Sequence, residues 1–226
     1  MSSQDLPAAN KLPSPNADAP PDTQAPTSDT KKALRKILRA RRLALTRGEQ
    51  YLAALGLGRQ FKRFAANRRI TRVGVYFAND GEIDPSAIVQ WCWKTNKQPL
   101  LPVLHPTRTG ELLFLPWLPE TPLARNRFGI PEPDSARSNP RPVWTLDVIL
   151  TPLVGFDVQC SRLGMGGGYY DRTLAPAFTG YTPRRPLLIG VAHECQKVEN
   201  LPIEAWDIPL DGVLTGDAFY QRIRPV

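Results

Sequence analysis

Apolar residues recur at helical spacing in the first third of the chain and in short unbroken runs after it; the period changes at Arg72. Upstream of that point, Asp29-Thr30 offers a helix N-cap, and Leu34, Ile37, Leu38 and Leu45 follow at helical spacing, interrupted by Arg41 and Arg42. Thr46-Arg47-Gly48-Glu49 has the spacing of a capping box and predicts a second helix with Tyr51, Leu52, Leu55, Phe61 and Phe64 inward. An N-terminal pair of amphipathic helices is therefore expected to lead into the fold. Residues 73–77 then read as a short buried strand closed by the turn formers Asn79-Asp80-Gly81. Asp84-Pro85 supplies an N-cap with Pro at the first helical position, predicting a helix through Trp93. Further strands are expected at 100–104, 112–117, 146–152, 187–191 and 212–215, with a Pro-rich surface loop at 131–142 and a helix from about Tyr169. Strands alternating with helices predict a single α/β domain with a mostly parallel sheet flanked by helices.

Composition narrows the class. The 226 residues are long enough for one sizeable core, 42% are hydrophobic and 22% charged, and no apolar run approaches the ~18–20 residues of a membrane span. Residues 1–30 hold six Pro among Ser, Ala, Asn and Asp, too little apolar surface to offset ordering entropy. They are expected to form a disordered tail, leaving 31–226 as the folded domain. Cys92, Cys160 and Cys195 form no C-x-x-C pair, which excludes an encoded disulfide framework or zinc site and predicts a reducing compartment. With no basic-then-apolar leader at the N-terminus, a cytoplasmic location is expected.

The net charge of +8 matters through its location. Residues 31–72 carry fourteen Lys/Arg against one Glu, while residues 73–226 carry fourteen basic against sixteen acidic side chains. The excess belongs to the helical pair. Such a stretch is a solvated face, a local anion site or a nucleic-acid surface, although it lacks interleaved aromatics at base-stacking spacing. Within it, Lys31 and Arg35 are four apart, so on a helix they share one face and are able to clamp a triphosphate together.

The segment from Arg162 through Leu163, Gly164, Met165, Gly166, Gly167, Gly168, Tyr169, Tyr170 and Asp171 to Arg172 lies between a strand and a helix. Glycines let backbone N–H groups approach a phosphate closely, and the helix that follows adds its positive end. It is neither a Walker A loop, since no Gly-Lys-Ser/Thr follows, nor a dinucleotide fingerprint, since Tyr169 stands where the third Gly belongs. Arg162 can meet phosphate charge, and Asp171 offers the oxygen ligand that Mg²⁺ prefers.

That segment, with Thr151-Pro152-Leu153-Val154-Gly155-Phe156-Asp157 before it, resembles the signature of the 5-formyltetrahydrofolate cyclo-ligase (5,10-methenyltetrahydrofolate synthetase) family. Lys31-Lys32-Ala33-Leu34-Arg35, Glu82-Ile83 after Phe77, Phe128-Gly129-Ile130-Pro131-Glu132-Pro133, and Trp206-Asp207-Ile208-Pro209-Leu210-Asp211 resemble further elements of the family in the same order. The resemblance covers roughly residues 31–215. It implies an enzyme that converts 5-formyltetrahydrofolate and ATP to 5,10-methenyltetrahydrofolate, ADP and phosphate with Mg²⁺, by way of a phosphorylated formyl oxygen. It further implies ATP binding by Lys31, Arg35 and the stretch Arg162 to Tyr170. Substrate contacts carry over to Phe77, Glu82 and Met165 to Tyr169, magnesium ligation to Asp171 and Asp207, and catalytic roles to Arg162 and Tyr169. Trp117 and Phe128 are expected to wall the folate pocket. Some relatives carry basic residues inside the glycine loop, where this chain has Met165 and Gly167, so phosphate neutralisation must lean on Arg162, Lys31 and Arg35. The expected partners are the folate and ATP, with no nucleic acid and no membrane, and the expected state is a monomer. Two other readings remain open at this point: a nucleic-acid-binding protein using the basic helices 31–72, and another small-molecule enzyme, such as a sugar-phosphate isomerase, on a similar scaffold.

Overall fold

The structure is a computed structural model and describes residues 28–134, 139–180, 184–204 and 207–223. The Pro-rich segment 1–27 and Trp206 lie outside the described residues. Helix α1 spans Ser28–Leu43, so it starts inside the segment expected to be tail. Helix α2 spans Arg47–Ala65 and opens on the expected capping box: Glu49 N–H donates to Thr46 Oγ1 (3.3 Å), and Thr46 N–H donates to the Glu49 carboxylate (2.7 Å). Helix α3 is Ser86–Lys94; the Asp84 carboxylate accepts from Ser86 N–H at 2.8 Å, ahead of its first turn. Helix α4 is Tyr169–Phe178.

Seven strands form the main sheet: β1 (Arg72–Gly74), β2 (Gln98–Leu104), β3 (Leu112–Pro116), β6 (Val148–Pro152), β9 (Leu187–Val191), β10 (Gly212–Leu214) and β11 (Phe219–Gln221). Two small ribbons stand apart, β4 (Leu123–Arg125) with β5 (Pro131–Pro133), and β7 (Gly155–Phe156) with β8 (Arg162–Leu163). The sheet order is β11-β10-β9-β6-β1-β2-β3; the five inner strands are parallel and the two edge strands antiparallel. Among those five parallel strands the chain runs outward from β1 to β2, then returns across β1 to β6, β9 and β10. That reversal makes a topological switch point between β1 and β6, and open α/β sheets bind ligands at the carboxyl ends of the strands there.

Alternation along the buried strands feeds two cores. Val148, Leu150, Ile189 and Val191 face the layer of α2 and α3, where Leu57, Phe61 and Ile88 cover them. Ile149, Leu188 and Val213 face the other layer, where Leu174 of α4 packs. Period-two burial on both sheet faces explains why these strands read as unbroken apolar runs.

Several boundaries and faces differ from the sequence reading. Regular pairing in β1 ends at Gly74, although Val75 N–H still donates to Leu100 O (2.8 Å). The loop expected at 131–142 begins as β5, since Leu123–Arg125 supplies a partner strand. The helical pair separates. α2 packs on the sheet beside α3, whereas Leu38 of α1 packs with Val154, Leu163 and Leu201, over the β7–β8 ribbon. Phe61 and Phe64 are inward as expected, but Tyr51, Leu52 and Leu55 are exposed, because the first turns of α2 extend past the sheet face that its second half covers. On α1, Ile37 is exposed and Arg42 is fully buried, so the inward face includes a cation.

A close approach accounts for one helical glycine. A Cβ at Gly56 of α2 would collide with the backbone of Gly216, in the turn between β10 and β11. Since backbone atoms cannot rotate away as a side chain can, Gly56→Ala is expected to destabilise the protein by roughly 1–3 kcal/mol despite alanine's better helix propensity. Urea unfolding checks this, and an unchanged midpoint would refute it. Among the described residues no helix is long and apolar enough to cross a membrane.

Candidate active site

Both segments singled out in the sequence leave the sheet at the switch point. The chain beyond β1 carries Phe77 and the turn Asn79-Asp80-Gly81-Glu82, and the chain beyond β6 runs through the β7–β8 ribbon into the glycine loop. In the turn, Glu82 N–H donates to Asn79 O (3.0 Å), and Asp80 (φ +52°) and Gly81 (φ +75°) are both left-handed. This is a type I′ geometry, in which Gly at one central position and Asp at the other are the tolerated residues.

Glu82 folds back across this turn, accepting from Asn79 N–H at 3.1 Å. Burial pushes its carboxyl up to about 7, against the opposing pull of the Asn79 N–H and Arg42, and with a smaller upward push from Asp80. Tyr76 and Tyr170 lie in the same electrostatic neighbourhood; burial holds both phenols above their ordinary range and the Glu82 charge adds to it. The Glu82 charge is thus felt at Tyr170, at the start of α4. Phe77 packs against Trp117 with ring centroids 4.7 Å apart and the planes inclined at 48°, and Trp117 meets Trp93 edge-on at 5.4 Å.

The glycine loop joins β8 to α4, with Gly166 (φ +91°) and Gly168 (φ +64°) in conformations that L side chains adopt rarely. Gly168 is the N-cap of α4, so the loop delivers the chain straight to a positive helix end. Arg35 of α1 donates from Nε to Gly164 O (2.8 Å), and its guanidinium lies against Gly166. Arg172 holds the other side of the loop, bonding to Gly167 O and, at 3.0 Å, to Gly110 O. Met165 is exposed at the loop's crest.

Arg162 stands at the base of the loop with its side chain only 9% exposed. One guanidinium nitrogen bonds to the Asp171 carboxylate, while the other, Nη1, is buried and has no hydrogen-bond partner among the described residues. Asp207 and Glu204 both pair with Lys31 Nζ, at 3.4 and 3.2 Å, and Asp207 also accepts from Glu204 N–H at 2.9 Å. Lys31 and Arg35 thus share one face of α1, as their spacing predicts, and reach two different loops. Asp171 and Asp207, the two residues expected to ligate magnesium, are each engaged by a cation of the protein.

Tyr169 closes one wall of a cavity of about 300 Å³, lined also by Leu104, His105, Asn126, Arg127 and Glu132. Its hydroxyl accepts from Arg127 (2.9 Å), and its ring meets Phe128 edge-on at 6.1 Å. Trp117 and Phe128, expected together as folate-pocket walls, are thereby divided: Trp117 backs Phe77 and Phe128 backs Tyr169.

The sequence profile of the 5-formyltetrahydrofolate cyclo-ligase family matches residues 27–216. The chain belongs to that family. A 5-formyltetrahydrofolate cyclo-ligase of Haemophilus influenzae is 41% identical over 82% of this chain and 97% of its own length. That of Escherichia coli K12 is 42% identical over 79% and 96%. In structure, the 5,10-methenyltetrahydrofolate synthetase of Aquifex aeolicus superposes with a TM-score of 0.73 at 28% identity, covering 87% of this chain and 94% of that one. Membership makes the chain an ATP-dependent ligase that acts on 5-formyltetrahydrofolate.

Sequence reasoning missed three contributors to this site. Arg42, fully buried, binds Asp80; the signal was present, since Arg42 falls on the same helical face as Leu38 and Lys31. Arg172 grips the glycine loop from within α4, and Arg127 reaches Tyr169 from the β4–β5 ribbon. Nothing local in the sequence marks Arg127.

Proposed function

We propose that α1, the glycine loop and the Asp80 turn form the nucleotide and folate sites in which 5-formyltetrahydrofolate and ATP become 5,10-methenyltetrahydrofolate, ADP and phosphate. The formamide oxygen is a poor leaving group. Transfer of the γ-phosphoryl to it creates a phosphate leaving group; N10 of the folate then attacks the formyl carbon and loses its proton to water, and phosphate departs. Such chemistry needs positioned cations more than a general base.

The observation that carries this reading is Arg162. A buried guanidinium with a free donor, fixed by Asp171 at the foot of a glycine loop, is costly unless an anion completes it. In this reading Lys31 and Arg35 hold the triphosphate, with Arg162 on the transferred phosphoryl and the loop from Leu163 to Tyr170 against the nucleotide. Phe77 stacks on the pterin, and Glu82 accepts its N–H donors. Tyr169 adjoins the reacting formyl group.

Asp171 and Asp207 offer carboxylate oxygens suited to Mg²⁺. Among the described residues no cluster of three or more His, Cys, Asp or Glu could hold an ion. A metal bound through one or two carboxylates, phosphate oxygens and water fits that arrangement. Bound there, Mg²⁺ supplies neutralisation of phosphate charge.

The test follows methenyl product spectrophotometrically, with ATP and Mg²⁺ each present or omitted. Product only when both are present is expected; product without ATP, or none from folded protein, would overturn the reading.

The Glu82 assignment carries its own pH signature. The carboxylate is the form that accepts pterin N–H bonds, so kcat/KM for the folate is expected to rise as pH increases through about 7. Stability moves the other way. The native state keeps the Glu82 proton to about 7 while the unfolded chain releases it near the ordinary value of 4.5, so stability falls as pH rises between those values. Glu82→Gln is therefore expected to lose the folate pH dependence yet melt higher than the wild type at pH 8 and alike at pH 4. Equal melting points at pH 8 would contradict it.

A further inference from the structure

One helix face carries more cation than the triphosphate explains. On α1, Lys31, Arg35, Arg39 and Arg42 project to one side, and the last two leave the glycine loop alone and converge on Asp80. Arg39 donates to both carboxylate oxygens, Nε at 2.8 Å and Nη2 at 3.0 Å. Arg42 donates from Nη2 to the carboxylate (2.6 Å), from Nε to the Asp80 carbonyl (2.7 Å), and from Nη1 to Leu153 O (3.2 Å). The last turn of α1 also covers the back of the Asp80 turn, where a Cβ on Gly81 would stand 3.0 Å from Leu43.

Five arginine hydrogen bonds thus hold a four-residue turn and the strand end beside it. Arg42 is fully buried while the Asp80 side chain is 24% exposed, and an ion pair that buries one of its charges is a poor way to gain stability when an apolar side chain of similar volume would serve. What the pair supplies instead is geometry: Asp80 is held at positive φ by both its side chain and its carbonyl. The residue closing that turn is Glu82, hydrogen-bonded across it. Any slackening at Asp80 moves the Glu82 carboxylate directly, because Asn79 and Glu82 bond to each other across the two left-handed residues.

We propose that Arg39 and Arg42, through Asp80, are positioning residues that fix the Glu82 carboxylate in the orientation in which it receives the folate. The inference rests on the reading of Glu82 as a folate contact. Arg42 also ties this turn to Leu153, at the end of β6, so the two sides of the switch point are set by one side chain. The remainder of the same helix face serves the nucleotide loop through Arg35. Folate and nucleotide positions are therefore referenced to one rigid element.

A double-mutant cycle on the full chain tests this. Steady-state KM for 5-formyltetrahydrofolate, KM for ATP and kcat are measured for the wild type, Asp80→Asn, Glu82→Gln and the double variant. Asn is chosen because it tolerates the left-handed conformation while losing the charge. Asp80→Asn is expected to raise the folate KM about tenfold and change the ATP KM less than about twofold. In the Glu82→Gln background the same substitution is expected to change the folate KM less than about twofold, since its effect passes through Glu82. An equal loss in both backgrounds, or none in either, overturns the positioning role. A folate KM that rises in Glu82→Gln but not in Asp80→Asn overturns it while leaving Glu82 as a contact. A wild-type folate KM in Glu82→Gln overturns the Glu82 reading, and the positioning role with it. Should Asp80→Asn fail to fold, Arg39→Ala, at an arginine whose side chain is 42% exposed, repeats the cycle with the same expectations.

Discussion

Arg162→Lys is expected to lower kcat by about 10²- to 10³-fold, the range typical for loss of one positioned donor to developing charge. A lysine keeps the positive charge but not the fork. Arg162 bonds Asp171 through one nitrogen and holds a second, unpartnered nitrogen in the same plane. A single ammonium has no fixed geometry with which to do both. The loss should fall mainly on kcat, with the ATP KM changing far less, because Lys31 and Arg35 retain the ground-state triphosphate in this reading. Single-turnover measurements with saturating ATP and folate separate the chemical step from product release. A kcat within threefold of the wild type would remove Arg162 from phosphoryl transfer. Since Met165 and Gly167 bring no charge to the loop, no cationic side chain within it stands ready to replace the lost guanidinium.

Arg42→Ala is expected to cost about 3 kcal/mol of stability, at the lower end of what breaking a buried ion pair costs. The lower end applies because Arg39 keeps its hold on Asp80, and because Gln196 Nε2 still donates to Leu153 O at 2.6 Å. The variant loses three hydrogen bonds from a charged donor and leaves unfilled the space of a side chain with no solvent exposure. The pH dependence has a definite sign. The Arg39 hydrogen bond, and then those of Arg42, hold the Asp80 carboxyl below its ordinary value of 3.8, so its contribution is present above that pH and is lost as pH falls through the lower native value. The gap between wild type and variant should therefore shrink on acidification below about pH 4. Urea unfolding at pH 7 and pH 3 measures both effects. A cost under about 1 kcal/mol at pH 7 would show that the buried Arg42 is replaceable without penalty.

The two strongest signals in the sequence survive in the structure because each is local. Thr46 and Glu49 cap α2 as their spacing demands, and the run of glycines before Tyr169 makes a loop between a strand and a helix. Lys31 and Arg35 fall on one face because helical period alone puts them there, and both point into the protein. The failures are equally specific. Ile37, Tyr51, Leu52 and Leu55 have apolar side chains at helical spacing, yet they are exposed. Periodicity reports that a helix has an apolar face; it does not report how far along the helix the covering surface extends. Arg42 interrupts the apolar pattern of α1 and is nevertheless its most deeply buried polar residue, since its partners lie 38 and 111 positions away. The stretch 131–142 reads as loop because Pro131 and Pro133 argue against a strand wherever no partner strand is visible, yet Pro131–Pro133 pairs with Leu123–Arg125.

By itself, then, the sequence determined the α/β class, the glycine loop and the family, and it marked candidate residues for the chemistry, all through patterns that span a few turns of chain. Only the tertiary structure decided that Phe77, Glu82 and the glycine loop leave the sheet at one switch point, that Arg162 keeps a buried donor with no partner among the described residues, and that Arg39 and Arg42 grip the turn ahead of Glu82. The physical reason is range. Capping, turn chemistry and helical period act between near neighbours, whereas the partner of a buried charge is settled by which strands lie side by side, and that is a property of the assembled sheet.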